Sequence, residues 1–411
     1  MIWAAPVWWL LGLNLLIYHV AAAVLLIAMV ASWNRENRPI FLDFPIFLIL
    51  FFVFVYGFSL AVNAEDSPPS RVLASAYNLS YWVMGLCLIA LLSNLFSREA
   101  IPDFLNALPP VGWVISLLFL VMLFLGAQGH IDFAVRTPLY GLKDILGNTP
   151  LVEQSVSAIL LVFDWFYEVS RPRFNALSPY ATATAALIMM IMIMTLTKAE
   201  YDKEKKPSFL ILIALSFGAM FFTFSRTTLI AFIFGGAAVS ILKRKEPFLW
   251  LLFFFVLFIL SYPLFERATS WILGFRQGST LARFELYRAS LEQLKDTRWI
   301  FGLGVKPLVD DLNYPLGSHS TYVSLLFRTG ILGASTILFF QIGLLWRWYR
   351  LKPYAQEQRE TFILWSGLGW VFISMGFWLL TEDLDAPQFL AFMYFSFVGI
   401  FEGFRRELLR G

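Results

Sequence analysis

The sequence predicts an all-α fold, a polytopic helical membrane protein with eleven or twelve membrane helices in one integral membrane domain over 1–411. Three observations carry this. The 411 residues are 59% hydrophobic and 18% aromatic, with a mean hydropathy of +0.70. Only 14% are charged, against about 25% in a soluble domain. Many apolar stretches reach the ~20 residues that cross a bilayer, and the connections between them alternate in charge.

The spans follow in order. The apolar run from Ile2 to Trp33 has no basic start and is too long for the core of a signal peptide, so 9–32 is a first membrane helix. Spans at 39–62, 72–94 and 109–127 come next, then 179–198. Two spans with almost no loop between them, 207–224 and 227–242, precede 247–264. The chain closes with 320–346, 362–381 and 387–404. The connections NRENR (34–38), FSRE (96–99), KAEYDKEKK (198–206), KRKE (243–246), RWYRLK (347–352) and RRELLR (405–410) are basic. Alternating with them are EDSPP (65–69), 128–178, 265–318 and TEDLDA (381–386). The positive-inside rule puts the first set in the cytoplasm and the second outside, with the N-terminus outside and the C-terminus inside.

Two outer segments are long, 128–178 and the main loop 265–318. Loops beyond ~12–15 residues carry function, so chemistry is expected on the outer face. The stretch LVEQSVSAILLVFDWFYEV (151–169) is moderately apolar, but Glu153, Asp164 and Glu168 argue against lipid exposure. A crossing there would also push KAEYDKEKK outside. A helix lying at the interface or re-entering the protein is expected instead.

Several chemistries have no footing. One cysteine, Cys87, allows no disulfide or thiolate site within the chain. His19, His130 and His319 are far apart, and the Asp/Glu pairs show no metal-ligand pattern, so neither a metal nor a cofactor is expected. There is no P-loop, GxGxxG or nucleophile elbow. A net charge of +3 gives no reason to expect a nucleic-acid partner. The residues His130, Asp132, Arg136, Lys143 and Asp144 have no recognisable spacing and read as solvated, and Glu382, Asp383 and Asp385 could contact a sugar or a basic group or, more plainly, form a polar turn.

Four places carry candidate chemistry. FFTFSRTTLIAF (221–232) sets Arg226 in an apolar run. Two helices of about 18 residues between cytoplasmic basic clusters rise ~27 Å, just short of the ~30 Å hydrocarbon core. The Ser225-Arg226 turn is therefore expected at or just beneath the outer boundary. An ionisable residue there faces a cavity, and a snorkelling arginine is the plainer alternative. In STLARFELYRASLEQLKD (279–296), Leu281, Phe284, Tyr287, Leu291 and Leu294 form one apolar helical stripe. Arg283 falls within that stripe, an odd place for a solvated charge, and Arg288 falls at its edge as a solvated or secondary anion-binding group. His319, in GSHSTYVSLLFRTGILG (317–333), stands where the main loop becomes a helix. A lone histidine near an interface is more often structural, but nearby arginines would keep this imidazole neutral and able to act as a general base. In VSRPRFNALSPYATATAA (169–186), Pro172 and Pro179 argue for an ordered, non-helical approach to the membrane. Either Arg171 or Arg173 could join an anion site or simply anchor the interface.

The serial order RPRFNALSPY, FSRTTLIAF, LARFELYR with FGLGV, then HSTYVSLLFRTGILG resembles the O-antigen ligase/polymerase superfamily of bacterial membrane glycosyltransferases, from about residue 30 to the end. The stretches NRENRPIFLDFPIFL and AEDSPPSRVLASAYN look ligase-like within it. The family pattern has twelve membrane helices and a cytoplasmic N-terminus. The count of eleven departs from it, through a helix absent at the start or two merged within Ile2–Trp33. The resemblance implies an enzyme of lipopolysaccharide biosynthesis in the bacterial inner membrane with a periplasmic active site. Its donor would be a glycan on undecaprenyl diphosphate and its acceptor lipid A–core. By the same resemblance Arg226 and Arg283 match essential arginines, His319 matches an essential histidine, and Arg171 matches a further basic position. An O-antigen polymerase, which uses a second lipid-linked glycan as acceptor, is the nearest alternative. A lipid-linked sugar transporter would call for internal repeats and polar mid-membrane paths, and neither is evident.

Overall fold

The computed structural model describes residues 2–36, 39–141, 143–144, 150–163, 172–203, 207–244, 277–294, 298–307, 315–385 and 388–410. The longer helices in chain order are α1 (Ala5–Leu11), α2 (Ile17–Arg35), α3 (Phe44–Asn63), α4 (Pro69–Leu95), α5 (Ile101–Ala127) and α6 (Ala181–Tyr201). They are followed by α7 (Pro207–Phe222), α8 (Arg226–Leu242), α9 (Gln277–Leu294), α10 (Thr321–Arg350), α11 (Arg359–Trp378) and α12 (Gln388–Arg410). Seven of the described helices, α2 to α6 with α10 and α11, are long and apolar enough to cross a membrane. The chain is an all-α, multi-pass membrane protein. The span expected at 247–264 lies outside the described residues.

The bundle is built around α6. Its sequence ATATAALIMMIMIMTLT has no polar stripe, and nearly every residue from Ala181 to Thr197 is buried. A helix that is apolar all round belongs in the middle of a membrane protein. By contrast α2 leaves Val20, Val24 and Ile27 exposed and sits at the periphery.

The basic connections gather at one end. Arg405 and Arg406 reach Asp43, Arg406 also reaches Asn94, Lys352 Nζ donates to the carbonyls of Leu242 and Arg244, and Arg359 donates to those of Glu200 and Tyr201. The connections after α3, α5 and α11, and the turn between α7 and α8, lie at the other end. There Arg298 pairs with Asp66, Arg173 with the carbonyl of Thr223, and Lys306 with Asp383. The predicted alternation is therefore a spatial fact within the protein.

Three expectations need correction. The run from Ile2 to Trp33 is not one helix. Gly12, at φ 76°, ends α1 in a left-handed cap, and α2 starts only at Ile17. Trp3 Nε1 donates to the Ala107 carbonyl at 2.6 Å, so α1 doubles back beside α5 rather than extending α2. The fourth span begins at Ile101, eight residues before the predicted start, and carries Pro109 and Pro110 inside α5. Prolines that break soluble helices persist in a bundle where neighbours satisfy the freed backbone.

The third correction concerns 151–163, the described part of the segment 151–169, whose remainder lies outside the described residues. A short helix, Pro150–Ser155, gives way to a strand, β2 (Ser157–Phe163), between β1 (Phe133–Arg136) and β3 (Pro172–Phe174). The sheet is antiparallel, with Arg136 opposite Ser157 and Leu161 opposite Phe174. A short apolar run reads equally as strand or helix from periodicity, and here Ala158, Leu160 and Leu161 are buried between two partners. Pro172 fits the end of an edge strand, which accords with the non-helical reading of that segment.

One helix is broken. Inside α10, Gly330 has φ 63° and ψ −165°, a region essentially confined to glycine. The loop 299–304 repairs the gap. Leu303 and Gly304 donate their N–H groups to the carbonyls of Phe327 and Arg328 at 2.8 and 2.9 Å. Ile331 and Leu332 donate theirs to Trp299 and Ile300 at 2.7 and 3.3 Å. A Cβ on Gly330 would lie 2.3 Å from the Ile300 carbonyl, so no other residue allows this approach.

Candidate active site

Arg226 opens α8. The turn before it is set by Phe224 at φ 53° and by Thr223, whose hydroxyl accepts from the Ser225 N–H at 3.2 Å. Ser225 and Thr228 share a hydroxyl bond of 2.8 Å. The first N–H groups of a helix have no intrahelical acceptor and carry partial positive charge. Arg226 therefore adds a full charge to an end that already favours anions. The two helices do not form a closely packed hairpin. α7 packs on α5 and α6, whereas α8 packs on α11, so they splay from the turn.

Arg283 sits on the inward face of α9, but the stripe differs from the predicted one. Leu286, Ser290 and Leu294 are buried, while Leu281, Phe284 and Leu291 are exposed. Leu286 and Leu294 pack with Leu316 and Phe327, and Ser290 Oγ accepts from the Gly317 N–H at 2.7 Å. This docks α9 against the start of α10. The Arg283 fork then donates to the Thr381 carbonyl at 3.0 Å and to Glu382 Oε1 at 2.7 Å. Its side chain keeps 22% of its exposure, enough to meet a ligand.

His319 stands two residues before α10, at φ 64°. A left-handed non-glycine residue costs of order 1 kcal/mol or more and persists only where its surroundings hold it. Tyr287 holds it from α9, donating to the His319 carbonyl at 2.5 Å. Thr321 holds it from the other side, its N–H donating to the carbonyls of Leu379 and Glu382 at 3.1 and 3.0 Å. Burial pushes the imidazole below its usual range, and Arg283 adds to this against the opposing pull of Glu382 and Asp383.

The meeting point is the turn at 379–385, whose carboxylates hold basic groups, the less plain of the two sequence readings. Glu382 takes Arg283 and also accepts from Thr182 Oγ1 at 3.1 Å. Asp383 pairs with Lys306 at 2.7 Å, and burial draws the Lys306 ammonium below its usual value. Asp385 pairs with Arg328, which also bonds Tyr56 and Ser324. Thr381 Oγ1 donates to Thr227 at 3.0 Å, next to Arg226. The start of α8, the inner face of α9 and the start of α10 thus converge on one short loop. Each of its three carboxylates holds a cation delivered by a different part of the chain.

Residues 211–339, about a third of the chain, match the family model described as O-antigen ligase. Over that segment the chain is similar to the O-antigen ligase family, which supports a member of the O-antigen ligase/polymerase superfamily. Such members act on lipid-linked glycans, which supports a glycosyltransferase-type enzyme working in a membrane. No curated protein matches the chain. The matched segment contains Arg226, Arg283, Arg288 and His319, and it stops before the turn at 379–385 that gathers their elements.

The site residues expected from sequence divide accordingly. Arg226, Arg283 and His319 stand on the elements that converge. Arg288 does not join them, since it points outward, 81% exposed, and pairs with Glu292 four residues on. Arg171 lies outside the described residues. Arg173 links β3 to the α7–α8 turn through the Thr223 carbonyl at 2.9 Å. The residues missed were Lys306 and Arg328, while the contact of Glu382, Asp383 and Asp385 with basic groups was the less favoured of two readings. A signal was present: Arg328 is a charge within a predicted span, and TEDLDA puts three carboxylates in a turn of the same end.

Proposed function

We propose that the protein is an O-antigen ligase. It transfers a glycan from undecaprenyl diphosphate to a hydroxyl of lipid A–core, at the periplasmic face of the bacterial inner membrane. The observation that carries this reading is the convergence of Arg226, Arg283 and His319 elements on the turn at 379–385. Two guanidinium groups and a helix N-terminus suit a diphosphate. An imidazole kept neutral by its surroundings suits proton removal.

In the proposed reaction the acceptor hydroxyl attacks the anomeric carbon as His319 takes its proton. The bond from that carbon to the phosphate oxygen breaks, and its electron pair leaves with the diphosphate. A single displacement inverts the anomeric configuration. Arg226 and Arg283, set in place before reaction, stabilise the growing negative charge without reorganisation. Glu382 supplies Arg283 with a counter-charge while the donor is away and gives up part of that role to the diphosphate. The chemistry runs without a divalent metal, so a chelator should leave it unchanged.

The test is transfer by the purified chain in liposomes, with a labelled glycan on undecaprenyl diphosphate and lipid A–core. Label on the core supports a ligase. Chain growth without core assigns the polymerase reaction instead, and near-normal transfer by His319→Ala removes the base from its role.

A further inference from the structure

The end of the bundle opposite the proposed site holds a groove of about 440 Å³ lined by residues that the transfer does not use, among them Trp33, Phe41, Asn94, Arg406, Glu407 and Arg410. Its depth is fixed by the helices around it. α2 ends at Arg35, α4 at Leu95 and α12 at Arg410, and α3 starts at Phe44, so the groove lies at the boundary where lipid headgroups sit. Trp33 is the kind of residue that occupies this level.

The floor is preorganised. The Phe41 N–H donates to Asn94 Oδ1 at 2.8 Å, and its carbonyl accepts from Asn94 Nδ2 at 3.0 Å. Against the Phe41 ring lie two guanidinium carbons, Arg406 at 4.5 Å and Arg410 at 4.6 Å from its centroid. They are four residues apart on α12, a like-charge spacing that is unfavourable by itself. The nearby carboxylates do not fully offset them. Asp43 is shared between Arg405 and Arg406, and Glu402 between Arg347 and Arg405. Arg410 makes no ion pair among the described residues. Counting these four arginines against Asp43, Glu402 and Glu407 leaves one positive charge over.

We propose that this groove binds the phosphate of an anionic phospholipid headgroup, with Arg406 and Arg410 as its ligands and the Trp33 and Phe41 rings beside the start of the acyl chains. Basic pockets between helices at this level suit such headgroups. Glu407, on the same wall, opposes the phosphate and sets the affinity below its maximum.

The full chain, purified in a zwitterionic detergent, is titrated with phosphatidylglycerol, with phosphatidylcholine and with inorganic phosphate, and native mass spectrometry counts the lipid retained. Phosphatidylglycerol should be retained over phosphatidylcholine. Arg410→Gln should weaken that retention roughly fivefold, and Glu407→Gln should strengthen it, a gain that a purely structural role does not produce. Arg350→Gln, exposed at the same end but outside the groove, should change nothing. Equal retention of the two lipids, loss of the same size in Arg350→Gln, or displacement of the lipid by inorganic phosphate at equal concentration would each overturn the assignment.

Discussion

The sharpest test of how the site is held is Asp385→Asn. The Arg328 side chain is 1% exposed and that of Asp385 4%. The guanidinium also donates to Tyr56, to Ser324 Oγ at 2.6 Å and to the Ser324 carbonyl at 3.4 Å, so its hydrogen bonding is well satisfied and Asp385 is its counter-charge. Asparagine keeps the shape and removes the charge. Breaking one side of a buried pair costs about 3–5 kcal/mol. At ~2 cal/mol/K per residue, unfolding a chain of this length carries roughly 0.9 kcal/mol/K, so melting should fall by about 3–6 °C. The assay is a thermal ramp in one detergent, followed by tryptophan emission. Replacing both partners, Arg328→Met with Asp385→Leu, should recover most of the loss, because a buried pair is seldom better than well-packed apolar groups. If Asp385→Asn melts within a degree of the wild type, or the double variant does no better than the single one, the pair does not anchor the turn and the reasoning fails.

Other outcomes follow from the same geometry. The acid limb of kcat/KM should lie below the ordinary imidazole value of about 6.5, because burial and Arg283 lower the pKa of His319; a limb at or above that value removes the argument. For stability, the folded pKa lies below the unfolded one, so the His319 contribution is complete above about pH 6.5 and declines as the pH falls toward the folded value. Arg283→Gln should lower transfer by about 10²–10³-fold, the scale of losing one preorganised donor, whereas Arg288→Gln should stay within about twofold, as expected of an exposed pair; comparable losses would move Arg288 into the site. Gly330→Ala should cost about 1–3 kcal/mol from backbone strain alone, with the clash at Ile300 added, and a melting curve like that of the wild type would mean that the break in α10 is not fixed by glycine.

How much of this was legible depends on the kind of signal. The all-α membrane class and the two-ended distribution of charge were readable because hydrocarbon enforces both, span by span. Arg226 was conspicuous because a charge in FFTFSRTTLIAF has no local reason to be there. Arg328 is an equally misplaced charge, but LLFRTG sits within a motif whose histidine drew attention first. Which cations the carboxylates at 382, 383 and 385 hold was not legible, for a different reason. They lie more than fifty residues beyond the groups they hold, and nothing local marks a carboxylate in a turn as a partner for a distant arginine. The strand at 157–163 was misread because SAILLVF has no period that separates strand from helix. The FGLGV and Gly330 motifs looked independent in the sequence, and the fold makes them the two sides of one junction.

The modest length of α7 and α8, 16 and 17 residues, carries a consequence for the membrane itself. They rise only about 24 and 26 Å, against ~30 Å for an average hydrocarbon core. Mismatch of this sign is met by local thinning of the bilayer, at fractions of a kcal/mol per Å. On the side where Arg226 begins α8, the lipid surface should therefore dip toward the protein. A lipid-borne diphosphate drifting along that surface would arrive already lowered to the depth of the arginine, and thicker bilayers should slow its arrival.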